Sequence, residues 1–299
     1  MKTIARIAAG LGASLLPVLL SGCFLLSTTR KLPVPKAPGT VLSASPEELV
    51  NRLNQRWAGI DSLTAKVEIQ ASVLKAQQGL AKDYTRVPGI ILIRKPEFLR
   101  VYVRVPVLGT PAADMASDGQ TFTLYNHVQN KVIQGRNDET KKSSTNTFEN
   151  LRPGFFFDSF MVRGLDADDL YSVTADTDTE EDASKKYLIV VPQYVVTVLR
   201  RKPGTQELTP LRVVTFHRDD LEPYQQDIYD KDGNLETQVY YAQYGDFGGN
   251  RFPAKVTIKR PIEGIQLVLT IENVTENMKL RDDQFQIDIP PGTPVQKLE

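Results

Sequence analysis

Two histidines, His127 and His217, are the only side chains in this sequence whose ordinary pKa suits acid–base chemistry near neutral pH. Neither histidine begins an H-E-x-x-H zinc motif, and no G-x-S-x-G segment is present that could expose a nucleophilic serine. His127 lies beside a predicted turn, and His217 ends a predicted strand. We therefore interpret both as surface or structural residues and expect no enzymatic activity. A hydrolase that uses one of the two histidines is kept as the least favoured of three hypotheses for function.

Two groups of acidic residues have the oxygen-rich composition of calcium ligands. The run from Asp176 to Asp182 lacks the glycine that an EF-hand loop needs at its sixth position, so a solvated loop explains it better. Asp230, Asp232 and Asn234 surround Gly233 with a suitable spacing, but a hairpin turn accounts for them without an ion. The sequence therefore predicts neither a metal nor a cofactor.

The N-terminus has the pattern of a secretory signal peptide. Lys2 and Arg6 precede an apolar stretch from Ile7 to Leu20, which is too short and wrongly flanked for a stable membrane span. The stretch is followed by Cys23, the only cysteine of the chain. An exported protein with one cysteine cannot form an internal disulfide, so this thiol needs another role.

The run Leu20-Ser21-Gly22-Cys23 resembles the bacterial lipobox. The resemblance implies cleavage between Gly22 and Cys23, and acyl chains on the Cys23 thiol that bind membrane lipid. The alternative is an ordinary secretory signal that happens to contain a cysteine. By resemblance to enterobacterial sorting rules, an aspartate after the acylated cysteine would favour the inner membrane. Phe24 stands there instead, which favours the outer membrane, with the protein facing the periplasm.

The composition of the full sequence restricts the partners of the chain. The 36 basic and 36 acidic residues balance, so nothing indicates a nucleic-acid partner. No later stretch approaches the ~18 consecutive apolar residues of a membrane helix. We expect a monomer with three parts: a signal peptide at 1–22, a lipidated N-terminus with a proline-rich tether at 23–44, and one domain at 45–299.

The domain is predicted to begin with one helix and a long strand. Ser45 can cap a helix that has Pro46 in its first turn, and Glu48 would complete a capping box. A helical stripe follows, made of Leu49, Leu53, Trp57 and Ile60. From Leu63 to Val73 apolar and polar residues alternate, which predicts a half-buried strand.

Roughly a dozen strands are expected in all, at the spacing of an antiparallel sheet or barrel. The further predicted strands are Gly89–Arg94, Leu99–Val105, Thr121–Tyr125, Lys131–Gly135, Lys186–Val191, Tyr194–Arg200, Leu211–His217, Tyr224–Tyr229, Glu236–Tyr244, Phe252–Lys259, Gly264–Val274 and Phe285–Pro290. Between them, Phe148–Met161 predicts a short helix or turn with a large aromatic cluster. The acid-rich segment Asp166–Lys186 predicts a solvated excursion and the only plausible seam in the domain.

The order of several short motifs resembles the bacterial lipoprotein localisation factors, the carrier LolA and the acceptor LolB. These motifs are Arg94-Lys95-Pro96-Glu97-Phe98-Leu99-Arg100, Ser117-Asp118-Gly119-Gln120-Thr121-Phe122-Thr123-Leu124-Tyr125, Pro253-Ala254-Lys255-Val256, and Asp283-Gln284-Phe285 before Pro290-Pro291-Gly292. The resemblance covers about residues 45 to 295. It implies a mainly β, α+β fold in which a strongly curved antiparallel sheet forms a half-open barrel with a few short helices covering the mouth. The chain is longer than either factor near 137–186, and Val107–Pro111 is only a candidate for the acceptor's exposed apolar loop.

The same resemblance implies an apolar cavity that binds acyl chains of lipids or of other lipoproteins, with lipoprotein sorting or lipid transport as the role. The candidate lining residues are Trp57, Val67, Ile69, Leu99, Val101, Val103, Phe155, Phe156, Phe160, Leu267 and Leu269. The phenylalanines could equally be ordinary core residues, and Trp57 is interpreted as a core residue first and as a lid of the cavity second. The second hypothesis for function is a structural or assembly lipoprotein that uses the sheet as a protein-binding scaffold, with the barrel filled by its own side chains.

Overall fold

A computed structural model describes residues 39–75, 79–138, 151–181 and 187–298. The chain divides into two compact units, one of residues 1–37 with 179–190 and one of residues 38–178 with 191–299. Of the smaller unit the structure describes residues 179–181 and 187–190, which have strand conformation apart from Tyr187. The site described below lies within the larger unit.

The described residues form two α-helices and fifteen strands. The helices are α1, Pro46–Gly59, and α2, Pro153–Phe160. The strands are β1, Ser62–Lys75; β2, Leu80–Asp83; β3, Val87–Arg94; β4, Phe98–Arg104; β5, Pro111–Ser117; β6, Thr121–Asn126; β7, Lys131–Arg136; β8, Asp169–Glu181; β9, Leu188–Arg201; β10, Leu208–His217; β11, Pro223–Tyr229; β12, Leu235–Phe247; β13, Asn250–Arg260; β14, Ile265–Glu276; and β15, Val295–Lys297. A 3-10 turn at Asp282–Phe285 precedes the last strand.

All the strands belong to one sheet, in the spatial order β15-β7-β6-β5-β4-β3-β1-β14-β13-β12-β11-β10-β9-β8, with β2 paired to β1 beside this path. Neighbours from β7 to β9 are antiparallel, whereas β15 pairs with β7 in parallel. Strand β1 joins the two halves of the chain, because it pairs with β3 on one side and with β14 on the other. The sheet is curved and does not close into a barrel, which confirms the predicted fold class.

Helix α1 begins as its sequence predicts. The Ser45 side chain accepts the Glu48 N–H at 3.2 Å, while the Glu48 carboxylate accepts the Ser45 N–H at 2.6 Å. These reciprocal bonds satisfy two of the four amide groups that a helix leaves unpaired at its start. No helix among the described residues is both long and apolar enough to cross a membrane.

Three expectations about strands are wrong. The predicted excursion at Asp166–Lys186 is in large part strand β8, whose side chains are almost all exposed, so the apolar alternation that marks a strand is missing. Its residues 182–186 lie outside the described part. The two strands predicted on either side of Pro192 are one, β9. The predicted strand Phe285–Pro290 is absent, because Phe285 ends the 3-10 turn and its ring meets Phe98 with centroids 5.4 Å apart.

The tight turn between β13 and β14 approaches the backbone of β1 closely, and this approach can be tested by mutation. Gly264 has a φ of +64°, and a Cβ there would lie 2.5 Å from the Leu74 carbonyl oxygen. Gly264→Ala should therefore lower the free energy of unfolding by about 1–3 kcal/mol, measured by urea denaturation. Gly154→Ala is the matched control, since a Cβ there meets nothing within 4 Å. Equal stability of the two variants would contradict the close approach at Gly264.

Candidate functional site

Helix α1 covers the part of the sheet made by β9 and β10. Its buried residues Leu49, Val50 and Leu53 form one apolar cluster, here called the α1 cluster, with Val196 and Val198 of β9, Val214 and Phe216 of β10, and Leu221. All of these side chains are at most 8% exposed. The spacing of the helical stripe explains this arrangement, because residues three and four apart share one face of a helix.

Helix α2 covers the other, larger part of the same face. Its Phe155, Phe156, Phe157 and Phe160 are 1–5% exposed and belong to a second cluster, the α2 cluster. The sheet contributes alternate residues to this cluster, for example Leu63, Ala65, Val67 and Ile69 of β1. The α2 cluster therefore occupies the apolar face of the central strands with side chains of the protein itself.

Polar contacts fix the C-terminal end of α2 against its surroundings. The Tyr241 hydroxyl donates to the Ser159 carbonyl at 3.0 Å, and the Gln226 amide donates to the Asp158 carbonyl at 2.9 Å. Asn54 of α1 accepts the Leu165 N–H at 2.8 Å. The first two bonds satisfy carbonyl groups that a helix leaves unpaired at its end and tie α2 to β11 and β12, whereas the third ties the segment after α2 to α1.

A charged group lies beside these contacts. The Asp158 carboxylate accepts from Arg163 at 2.6 Å, and Arg163 also bonds Glu97 at 3.0 Å. Burial raises the pKa of Asp158, against the opposing effect of the Arg163 charge. Burial lowers the pKa of Arg212, which donates to the Gly164 carbonyl. The segment that connects α2 to β8 is therefore held by ionic as well as neutral bonds.

An open cleft of about 410 Å³ lies where the two clusters meet. The α1 cluster contributes Leu53, Phe216 and Leu221 to its walls. The residues that the α2 cluster contributes, or that pack against it, are Trp57, Ile60, Phe160, Met161, Val162, Tyr241, Tyr244 and Phe252. The volume lies within the range of about 300–1,000 Å³ that is usual for small-molecule sites, and the floor is apolar and aromatic.

Charged residues surround the mouth of the cleft. Arg56 pairs with Glu276 at 2.5 Å, and Arg251 pairs with Glu222 at 2.7 Å and with Asp220 at 3.2 Å. Arg52 and Gln55 of α1 also line the cleft. The arrangement is therefore amphipathic, with an apolar interior and a polar rim.

Two tyrosines contribute to the inner wall. The Tyr244 hydroxyl donates to the Pro223 carbonyl at 2.6 Å, as Tyr241 does to Ser159. Burial raises the pKa of both hydroxyl groups well above the ordinary value of 10.0, with a smaller contribution from the Asp158 charge at Tyr241. Both hydroxyl groups are thus neutral donors at any physiological pH.

The candidate lining residues from the sequence lie together in or against the α2 cluster. Only two of them, Trp57 and Phe160, line the cleft. The other nine belong to the α2 cluster or pack against it and do not line the cleft; these are Val67, Ile69, Leu99, Val101, Val103, Phe155, Phe156, Leu267 and Leu269. Sequence reasoning missed Arg52, Tyr241, Tyr244 and Arg251. Arg52 could have been identified from the sequence, because Arg52 and Arg56 lie one helical turn apart beside the apolar stripe of α1.

The remaining candidate positions lie elsewhere. Gly22 and Cys23 are outside the described residues. The His217 ring stacks on Tyr224, and the His127 ring lies against Tyr125 at a tilt of 34°, each pair with centroids 3.8 Å apart. Burial lowers the pKa of His127. Neither histidine lines the cleft.

The turn between β4 and β5 exposes two apolar side chains. Val107 is fully exposed and Leu108 is 75% exposed. Both Val107 and Gly109 have a φ of +68°, so the turn is tight. This is the segment that the sequence suggested as an apolar loop, and the structure places it at the tip of a hairpin.

Comparison with known proteins gives structural neighbours only. No family model matches the chain, and no curated protein matches it in sequence. Similar solved structures include a LolA superfamily protein from Nitrosomonas europaea, with 12% identity, a TM-score of 0.49, and coverage of 82% of this chain and 99% of that chain. A DUF1329 family protein from Desulfovibrio piger has 14% identity, a TM-score of 0.48, and coverage of 80% and 94%.

A third neighbour is a domain named for outer membrane lipoprotein sorting, from Vibrio parahaemolyticus. It has 12% identity, a TM-score of 0.42, and coverage of 79% of this chain and 92% of that chain. The likeness to the three structures is one of architecture, and the cleft is described from this chain alone.

The buried tyrosines predict a loss of stability in alkali. The folded protein keeps the Tyr241 proton above the ordinary pKa of about 10, whereas the unfolded chain releases it, so rising pH favours unfolding by up to about 1.4 kcal/mol per pH unit for each such group. Tyr241→Phe should therefore flatten the decline of the free energy of unfolding above pH ~10, at a cost of about 1 kcal/mol at neutral pH from the lost bond to Ser159.

Urea denaturation at several pH values measures both effects. Tyr171→Phe is the control, because Tyr171 is 41% exposed on β8 and its loss should alter neither value. An unchanged alkaline slope in Tyr241→Phe would show that its hydroxyl ionises as readily in the folded state as in the unfolded chain.

Proposed function

We propose that this protein is an envelope lipoprotein, tethered to the outer membrane and facing the periplasm, that holds one acyl chain in the cleft between α1 and the ends of β12 and β13. The single observation that supports this most is the position of an open cleft at the meeting point of two apolar clusters. A chain that enters there contacts an apolar and aromatic floor, in which the hydroxyl groups of Tyr241 and Tyr244 are already bonded to backbone carbonyls. The acyl chain belongs to a lipid or to another lipoprotein.

The mechanism is passive. Moving apolar surface out of water stabilises the complex by roughly 25 cal/mol per Å². No covalent step is part of the proposal, and transfer requires only that the next site binds the chain more strongly. The histidines and the acidic turn at Asp230 have no role in it.

The path of the N-terminal segment supports a location near the bilayer. The Leu42 N–H donates to the Arg218 carbonyl at 2.6 Å, and the Arg218 side chain returns a bond to the Leu42 carbonyl at 2.9 Å. The hairpin that contains Arg218 continues to Leu221, a residue of the cleft. Cys23 is 16 residues before Gly39, a length that spans at most roughly 55 Å. A tether of that length would keep the cleft within reach of the membrane that holds the acylated cysteine.

The exposed turn at Val107 and Leu108 provides a further apolar contact of the kind that a bilayer or an acceptor protein could cover. The two residues project from the larger unit without packing on it. Sorting of outer-membrane lipoproteins, or transport of lipid, is the role that combines such a contact with a chain-binding cleft.

Acylation is tested by Cys23→Ser. Metabolic labelling with an alkyne fatty acid should label the wild-type protein and leave this variant unlabelled, because the serine hydroxyl does not replace the acceptor thiol. Ser27→Ala, a nearby change in the same tether, should retain the label and the membrane fraction. A labelled Cys23→Ser protein would remove the lipoprotein assignment.

Chain binding is tested by filling the cleft. Val162 is half-buried and lines the cleft, so Val162→Trp should reduce the uptake of a fluorescent fatty acid about tenfold, equivalent to ~1.4 kcal/mol. Val128→Trp makes the same change at a valine that is 76% exposed, and should bind as wild type does. Circular dichroism checks that both variants fold. Undiminished uptake by a folded Val162→Trp protein would exclude the cleft as the site.

A second candidate function follows from the α2 cluster. Because the α2 cluster consists of the protein's own packed side chains, the sheet can act as a rigid scaffold for a partner protein without any lipid. Wild-type protein that takes up no fatty acid and co-purifies with one envelope protein at constant ratio would favour this function over the first.

A further inference from the structure

The cleft adjoins a second, polar pocket of about 420 Å³. The two cavities share Arg52, Gln55 and Leu221 in their walls. The remaining walls of the polar pocket come from Ser43, Ala44, Glu48 and Asn51. An apolar cavity beside a polar one, with a shared boundary, matches the two parts of an amphiphile.

Arg52 differs from the other two arginines of the rim. Arg56 is paired with Glu276, and Arg251 is paired with Glu222 and Asp220. Within the described part of the chain, the Arg52 side chain has no ion pair or hydrogen bond. Its five N–H donors are therefore available at the boundary between the two cavities.

The one carboxylate of the polar pocket is already engaged. Glu48 accepts the Ser45 N–H at 2.6 Å and lies in the first turn of α1, where the positive end of the helix dipole offsets its charge. Asn51 and Gln55 add neutral amide donors to the same wall. Arg52 is the only cation among the residues that line this pocket.

We propose that the bound amphiphile has an anionic head, a phosphate or a carboxylate, which occupies the polar pocket and receives hydrogen bonds from Arg52 while its single acyl chain fills the cleft. This rests on the proposed function and specifies its ligand. A guanidinium suits both head groups, because its paired N–H donors match two oxygens at once. A neutral amphiphile with the same chain gains the apolar contact alone.

The test compares head groups at constant chain length. The full chain is purified in a non-ionic detergent, and native mass spectrometry measures the competition between a lysophosphatidic acid, a fatty acid and a monoacylglycerol. Wild-type protein should bind the anionic probes at least about fivefold more than the neutral one. Arg52→Gln should reduce that preference about three- to tenfold, the range of one charge-assisted hydrogen bond at a partly exposed site.

Two variants complete the design. Arg52→Lys keeps the charge and should retain most of the preference. Arg104→Gln removes an exposed arginine of β4 that, among the described residues, also has no partner, and should leave the preference unchanged. The order of the two anionic probes identifies the source: stronger binding of the phosphate indicates a single-chain lysophospholipid, and stronger binding of the carboxylate indicates a free fatty acid.

The outcomes separate the two proposals. Equal binding of all three probes to wild-type protein overturns the anionic head and leaves chain binding intact. An anionic preference that survives in Arg52→Gln overturns the assignment to Arg52. If no probe binds to wild-type protein, the proposed function fails, and the head-group proposal fails with it.

Discussion

Covering one face of a wide sheet is the constraint on which the rest of this structure depends. Twelve strands run from β7 to β9, and at about 4.8 Å between neighbours they would span roughly 50 Å if flat. Two helices of about 10 Å diameter cannot cover that width. The sheet therefore curves. Helix α2 has only eight residues, but its phenylalanine rings are large and cover more of the sheet than smaller side chains would.

The same constraint produces the cleft. The aliphatic residues of α1 pack on β9 and β10, whereas the aromatic residues of α2 belong to the cluster of the central strands. The apolar covering of the sheet therefore consists of two clusters and not of one. Val162, in the segment after α2, packs against both. Where two convex clusters meet, their surfaces diverge and leave a gap, and a gap lined by apolar atoms loses contacts that a ligand can restore. The site is thus a consequence of how the sheet is covered.

Much of this fold could be predicted from the sequence, because its signals are local. The capping box at Ser45 and Glu48, the alternation from Leu63 to Val73 and the hairpin at Gly233 each depend on a few adjacent residues. Strand β8 was not predictable, since an exposed edge strand needs no apolar face. The C-terminal 3-10 turn was not predictable either, because Phe285 is buried by contact with Phe98, which is distant in the sequence.

The candidate site was predictable only in its chemistry. The sequence pointed to an apolar interior with Trp57 and the phenylalanines, and the structure places these residues in one cluster. It could not show that α2 and the central strands share one packed cluster, because periodicity identifies which residues are buried and not what buries them. Nor could it bring Arg251 to α1, since the bond that does so joins the Arg251 carbonyl to Arg56, 195 positions away in the sequence.

The size of the cleft bears on how such a site would work. A cavity of about 410 Å³ accommodates one chain and not the several chains of a whole lipoprotein anchor. Each buried methylene contributes about 0.8 kcal/mol, and a single myristoyl chain binds a bilayer only reversibly. A partly buried chain is therefore held no more firmly than a membrane would hold it. A cleft of this kind would not store a bound chain, but it would allow the chain to exchange with a bilayer, because the two would bind it with similar free energies.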